Sequence, residues 1–203
     1  MKHPASAGSK GNASAGSKRN ASSGPRVKPS AGPGNIVLIG FMGTGKSSIG
    51  RHVAKRLDFR FVDTDRLIVE SAGKSIPDIF AEKGEAFFRD AETAALGSLK
   101  GASGHVIATG GGIIDRPGNI GLLRALGFVV WFTASEKVIF ERVSRHDKRP
   151  LLKTENPRQT IRRLLERRAP LYGGTADLAI DTSHLSHGEI ADAVVEAARL
   201  HWK

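Results

Sequence analysis

The chain has 203 residues, a formal net charge of +11 and no cysteine. That length suits one substantial domain, and an apolar content of 39% is enough for a core. Without cysteine there are no disulfides, thiolate metal sites or cysteine nucleophiles, and no apolar run reaches the roughly 18 residues that cross a bilayer.

The charge is unevenly spread. Residues 1–35 hold six basic residues (Lys2, Lys10, Lys18, Arg19, Arg26 and Lys28) and no acid, whereas the remainder holds 25 basic and 20 acidic residues. About half of the basicity thus belongs to a tail. The modest excess on the body fits either an anionic substrate or an ordinary solvated surface. Residues 1–34 are low in complexity: ASAGSK occurs at 5–10 and again at 13–18, and Val27 is the one larger aliphatic residue beyond Met1. Such a segment buries too little surface to offset its ordering entropy, so it is expected to be disordered. It lacks the apolar stretch of a secretory signal. An inert or weakly adhesive tail is the main reading; an organelle import peptide and a nucleic-acid arm are the lesser ones.

From residue 35 the pattern alternates between strands and helices. NIVLI (35–39) is an apolar strand ending in glycine, and KSSIGRHVAKRL (46–57) sets Ile49, Val53, Ala54 and Leu57 on one helical face. FRFV (59–62) is the second strand. DTDRLIVESA then reads as a helix stopped by Gly73, SIPDIFAEKG as a helix capped by Ser75 and stopped by Gly84, and EAFFRDAETAALGSL continues helically. HVIAT (105–109) and FVVWF (128–132) are continuously apolar, as strands covered on both faces should be. Ser135 caps a helix running to about Arg145, and RHDKRPLLKTEN is polar without helical period. Asn156 and Pro157 open another helix, ADLAID (176–181) is the fifth strand, and Ser186 with Glu189 forms a capping box for the last helix. Five strands separated by helices predict a parallel, doubly wound α/β sheet, whose ligands bind at the carboxyl ends of the strands.

GFMGTGKSSIG (40–50) sits between the first strand and the first helix. Gly40, Gly45, Lys46 and Ser47 satisfy G-x-x-x-x-G-K-[ST] in its proper context. Glycines let successive N–H groups converge on phosphate oxygens, and the helix start adds its positive dipole end. Lys46 can reach the β/γ oxygens, and Ser47 can give a hydroxyl to Mg²⁺. A GTPase would carry Asn-Lys-x-Asp, which is absent; Asp115–Gly118 matches D-x-x-G, a pattern weak enough for chance. A motor-type ATPase would end a strand in adjacent acids, and neither HVIAT nor FVVWF does.

Asp63 and Asp65 follow the second strand. In extended backbone they face the same side, one near Mg²⁺ and one near an acceptor hydroxyl; the competing reading is a helix cap. Gly110–Gly112 allow close approach of another molecule, or else form a plain turn. Arg89 beside Phe87 and Phe88 is either a ligand or a surface residue lending its stem to packing. Arg149, in the polar stretch, is a lid arginine able to stabilise charge on a transferring phosphoryl group, or a solvated side chain. Of Arg167 and Arg168, one can clasp a carboxylate while the other meets solvent.

Taken together, the glycine loop, DTD (63–65), FRDAE around Arg89, GGG (110–112), RPLL (149–152) and RRAPLY (167–172) resemble one family, shikimate kinase, over residues 36–200. The ordered set carries the resemblance; only the glycine loop is specific alone. It implies a three-layer α/β/α P-loop fold of the nucleoside monophosphate kinase kind, spanning 35–203 with a lid at about 143–157. It further implies ATP-dependent phosphorylation of the 3-hydroxyl of shikimate with Mg²⁺. ATP would be held by Gly43, Thr44, Gly45, Lys46, Ser47, Ser48, Arg142 against adenine, and Arg149. Ser47, and Asp63 through water, would hold the metal. Asp65 would bind shikimate and accept its proton, with Lys46 and Arg149 as the other catalytic groups. Arg89 and Arg168 would pair with the shikimate carboxylate beside the backbone of Gly111 and Gly112. The expected setting is a cytoplasmic monomer with no membrane or specific nucleic-acid partner.

Ser48 departs from the family's common threonine, TSHLSH (182–187) lacks basic residues that some relatives carry, and the tail has no counterpart. Two other readings compete: a kinase of the same architecture acting on another hydroxy compound such as gluconate, and a non-catalytic ligand sensor. The sensor would be joined to a helix-turn-helix, of which residues 1–35 show no periodicity.

Overall fold

The computed structural model describes Met1, residues 34–144 and residues 154–203. The expected tail and most of the expected lid, Arg149 included, lie outside the described residues. The elements run β1 (Asn35–Gly40), α1 (Lys46–Leu57), β2 (Arg60–Asp63), α2 (Thr64–Ala72), α3 (Ile76–Ser98) and β3 (His105–Ala108). They continue with a 3₁₀ turn (Ile113–Asp115), α4 (Pro117–Leu126), β4 (Gly127–Thr133), α5 (Glu136–Val143), α6 (Pro157–Thr175), β5 (Leu178–Asp181) and α7 (His187–His201).

Every strand pairing is parallel, and the order is β2-β3-β1-β4-β5. β1 is the middle strand and is buried throughout. Its side chains alternate between two cores. Ile36 and Leu38 pack with Ile49 and Val53 of α1 and with Ile190 and Val194 of α7. Val37 and Ile39 pack on the opposite face with Leu96, Leu123 and Tyr172 of α3, α4 and α6. Each such aliphatic side chain stabilises the fold by about 1.5–3 kcal/mol. Two helical layers on one parallel sheet are thus a direct consequence of an apolar run whose alternate residues point opposite ways. Among the described residues no helix is long and apolar enough to cross a membrane.

The caps follow the sequence. Ser75, Ser135 and Asn156 accept from backbone N–H groups in the first turns of α3, α5 and α6, and the Ser186–Glu189 box is complete. α3 passes through Gly84 as a kink, with φ 77° and ψ 176°. Two expectations shift. β5 begins at Leu178, not Ala176, because α6 runs on to Thr175 and Ala176 is its cap. Asp177 then bonds both ways to Val129: its N–H donates to the carbonyl at 2.8 Å, and its Oδ2 accepts from the N–H at 3.0 Å. α4 was not anticipated: Gly118 and Gly121 dilute its helical signal, and Pro117 at its first turn is the cue that marks it.

Asn35 fastens the far end of the sheet. Its Nδ2 donates to the carbonyls of Ala102 and Leu126, both at 2.8 Å, and its Oδ1 accepts from the His105 N–H at 3.0 Å. The side chain thereby joins β1, β3 and the end of α4. Asn35→Ala should lower the unfolding free energy by about 2–3 kcal/mol, because buried backbone groups lose their partners. Urea unfolding measures it; a loss below about 0.5 kcal/mol would mean that water replaces the amide.

Candidate active site

The loop after β1 is shaped by Gly43 and Gly45, with φ of 82° and 89°. Both lie in the left-handed region that favours glycine, and a Cβ would press on Val143 and Ile49 at 2.9 Å. The loop curls around Lys46, which is almost wholly buried at the start of α1. Its ammonium donates to the carbonyls of Gly40 and Phe41, each at 2.8 Å. Thr44 is wholly buried: its hydroxyl and its N–H both donate to Phe41 O, and of the expected nucleotide contacts in the loop it is the one that does not line the cavity. Ser48 is exposed at the rim.

Ser47 Oγ donates to Asp63 Oδ2 at 2.7 Å. Asp63 also caps α2, its Oδ1 accepting from the Asp65 N–H at 3.1 Å. The helix-cap reading of DTD is therefore realised at Asp63, whose other carboxylate oxygen meets Ser47 at the start of α1. Asp65 follows in the first turn of α2.

These groups surround a cavity of about 390 Å³. Its walls include Gly43, Gly45, Lys46, Ser47 and Ser48 from the loop and α1, Asp63 and Asp65 from β2 and α2, and Thr109 and Gly111 after β3; Arg142 and His187 close one side. Arg142 donates to Gly43 O at 3.2 Å, to Thr182 Oγ1 at 3.2 Å and to Thr182 O at 2.8 Å, bridging the loop to the end of β5.

Arg89, Arg168 and Gly112 stand behind this wall. Gly111 lines the cavity; at Gly112 a Cβ would fall 1.9 Å from Arg89 Nη1, so only glycine admits that guanidinium. Arg89 is 7% exposed and Arg168 1%. Arg89 donates to Glu92 Oε2 at 2.6 Å and to Glu85 Oε1 at 2.7 Å. Arg168 grips Asp115 through Nε at 3.1 Å and Nη2 at 2.6 Å. Arg167, largely exposed, reaches the same carboxylate at 3.1 Å. Tyr172, one turn beyond Arg168, donates its hydroxyl to Gly111 O.

Burial raises the Glu92 pKa from 4.5 to about 7; Arg89 opposes the rise and Asp65 adds to it. Glu92 Oε1 and Asp65 Oδ1 lie 2.5 and 2.6 Å from where a Cβ on Gly110 would be, so the two carboxyl groups share one small space. Burial also acts to raise Asp115, but hydrogen bonds and charge from Arg168, with Arg167 and Arg89, outweigh it and hold the carboxyl below its ordinary value. Burial pushes the Tyr172 hydroxyl far up, so it remains a donor.

The sequence profile of the shikimate kinase family matches residues 42–199. The chain belongs to the shikimate kinase family. The shikimate kinase of Geobacter sulfurreducens is 47% identical over 167 residues, covering 82% of this chain and 92% of that protein. That of Thermodesulfovibrio yellowstonii is 46% identical over 162 residues, covering 80% and 93%. The structure of shikimate kinase from Acinetobacter baumannii in complex with shikimate superposes with a TM-score of 0.80 at 37% identity, covering 84% of this chain and 95% of that one. The architecture is thus the P-loop kinase fold that the motifs implied.

Within this family member, the cavity gathers the glycine loop, Asp63, Asp65, Gly111 and Arg142. Arg89, Arg168 and Gly112 form an adjoining buried cluster. Glu92, Asp115 and Tyr172 were not singled out from the sequence. Glu92 carried a signal, standing three residues after Arg89 on one helix, as did Tyr172, four after Arg168; for Asp115 no local pattern marks the pairing, because its hydrogen-bond partners Arg167 and Arg168 are more than fifty residues away.

The folded protein holds a proton on Glu92 that the unfolded chain releases above pH 4.5, so this stability is complete at low pH and is lost as pH rises through about 7. Unfolding free energies at pH 5 and 8 should differ by up to about 3 kcal/mol from this group. In Glu92→Gln that slope should disappear; an unchanged slope would assign the proton to another residue.

Proposed function

We propose that the protein transfers the γ-phosphoryl group of ATP to the 3-hydroxyl of shikimate, releasing ADP and shikimate 3-phosphate. One observation carries this reading beyond family membership: the phosphate cradle lies on the Gly111 side of a single glycine turn and the buried Arg89 guanidinium on the Gly112 side, with Arg168 joined to Arg89 through Asp115. A triphosphate and a small ring carboxylate can then lie side by side.

Mg²⁺ suits the groups present. Ser47 Oγ and Asp63 Oδ2 are hard oxygen donors at the mouth of the loop. Among the described residues no cluster of three His, Cys, Asp or Glu could cage a metal, which fits an ion that arrives with the nucleotide and keeps water and phosphate ligands. It would neutralise charge between the β- and γ-phosphates.

The chain's own groups divide the remaining work. The loop N–H groups and Lys46 hold the β/γ oxygens. Asp63 orients Ser47 and caps the helix that carries Asp65. Asp65 takes the proton from the 3-hydroxyl as the new O–P bond forms and the bond to the ADP oxygen breaks. Arg168 and Arg89 hold the acceptor carboxylate, and Gly111 and Gly112 offer backbone contacts. Arg142 flanks adenine, and Arg149 is assigned to the lid. Such transfer depends on alignment and charge neutralisation more than on covalent chemistry. In this reading the enzyme works in the cytosol as a monomer, its partners being ATP and shikimate.

Shikimate, gluconate and nucleoside monophosphates offered in parallel with MgATP should give ADP release with shikimate alone. Faster release with another acceptor, or none with shikimate, would overturn the reading. Asp65→Asn should lower kcat by at least about 100-fold while ATP affinity stays within about twofold, by steady-state turnover and calorimetry. Retained turnover would remove Asp65 from proton transfer.

A further inference from the structure

Asp115 has no part in the chemistry described so far, yet three guanidinium groups converge on it. Arg168 holds it in bidentate fashion, Arg167 reaches Oδ1 at 3.1 Å, and Arg89 Nη2 stands 3.8 Å from Oδ2. We propose that Asp115 is a positioning residue for acceptor recognition: it clamps one edge of Arg168 so that the opposite nitrogen, Nη1, is presented to the substrate carboxylate. The inference rests on the functional reading above and deepens it.

The geometry of Arg168 supports this. Asp115 occupies Nε and Nη2, the two donors of one edge. Nη1 is buried and has no hydrogen-bond partner among the described residues. A buried guanidinium N–H left in that condition is costly, and a carboxylate arriving from the cavity side would satisfy it. The Phe41 ring, 5.7 Å from the guanidinium carbon, supports the group on its face.

Asp115 is itself held in place. It ends the 3₁₀ turn, and its N–H donates to Gly112 O at 2.9 Å. Tyr172 ties the same helix, α6, to Gly111 O. The glycine turn and Arg168 therefore form one unit, in which backbone groups and the guanidinium keep a fixed spacing. The Asp115 carboxyl stays ionised under the influence of its arginines, as a clamp must.

The test uses the full chain with shikimate and with shikimate methyl ester, whose carboxylate is masked. In Asp115→Asn, kcat/KM for shikimate should fall about tenfold, carried by KM, because one ordered side chain is freed. The KM for ATP should hold, and the preference for shikimate over its ester should shrink by a similar factor. Asp115→Glu should restore most of the loss. A lowered shikimate KM would show that Asp115 competes with the acceptor, and an unchanged preference, or parallel rises in both KM values, would show a merely structural role; each overturns the proposal. Wild-type turnover with shikimate is the separate check on the functional reading, and its failure would remove both.

Discussion

Arg89 and Arg168 are taken almost wholly out of water, and a buried cation costs several kcal/mol unless carboxylates meet it with good geometry. The partners come from separate parts of the chain. Glu85 and Glu92 lie on α3, Asp115 ends the turn after β3, and Arg168 itself rides on α6. Pairing these charges fastens three connections to one rim of the sheet. The same crowding explains why Glu92, matched by Arg89 yet deeply buried beside Asp65, holds its proton to about pH 7. The fold thus supplies the counter-charges that keep both cations out of water.

The parallel sheet decides which rim this is. β1, β2 and β3 all end on the same side, with Asp63 in register with Ala108 and Leu38 with Ala108. Three successive connections therefore arrive together: the glycine loop, the DTD turn and the triple glycine. β1 lies between β3 and β4, so the chain departs to either side of it, and the crevice opens where the strand order switches. The start of α1 points into that crevice and adds its dipole to the charge of Lys46.

Sequence reasoning reached this arrangement unevenly, for physical reasons. The glycine loop was readable because its chemistry is local: strand, turn, lysine, hydroxyl and helix start are consecutive. The continuous apolar strands and the side-chain caps were equally legible, since burial and capping act over a few residues. β5 was placed two residues early: Ala176 is the cap of α6, and Asp177 already bonds to Val129 of β4 just before the strand begins. α4 was missed because its glycines weaken helix propensity and its stability comes from packing Leu123 and Leu126 on the sheet. Asp115 was invisible for a different reason. Its role depends on Arg167 and Arg168, brought to it by the α6 crossover, and no local pattern encodes that meeting. Arg89 and Arg168 were read as acceptor ligands through family resemblance, whereas composition alone favoured a surface position for Arg89.

The first turn of α2 links the two halves of the site. Asp63 spends one carboxylate oxygen on capping the helix at the Asp65 N–H and the other on the Ser47 hydroxyl. Asp63, which meets the Ser47 hydroxyl, and Asp65, whose Oδ1 lies beside Glu92 Oε1 at the Gly110 turn, are thus two residues apart, with Thr64 between them buried and accepting from the Gly110 N–H at 3.2 Å. No flexible linker separates them. A displacement of Asp63 would disturb Ser47 and unwind the turn that carries Asp65, so the spacing of these two side chains is set by a single capped turn. That economy accounts for a short Asp-Thr-Asp segment in which each side chain faces a different neighbour: Ser47 after the glycine loop, the triple-glycine turn and the cavity.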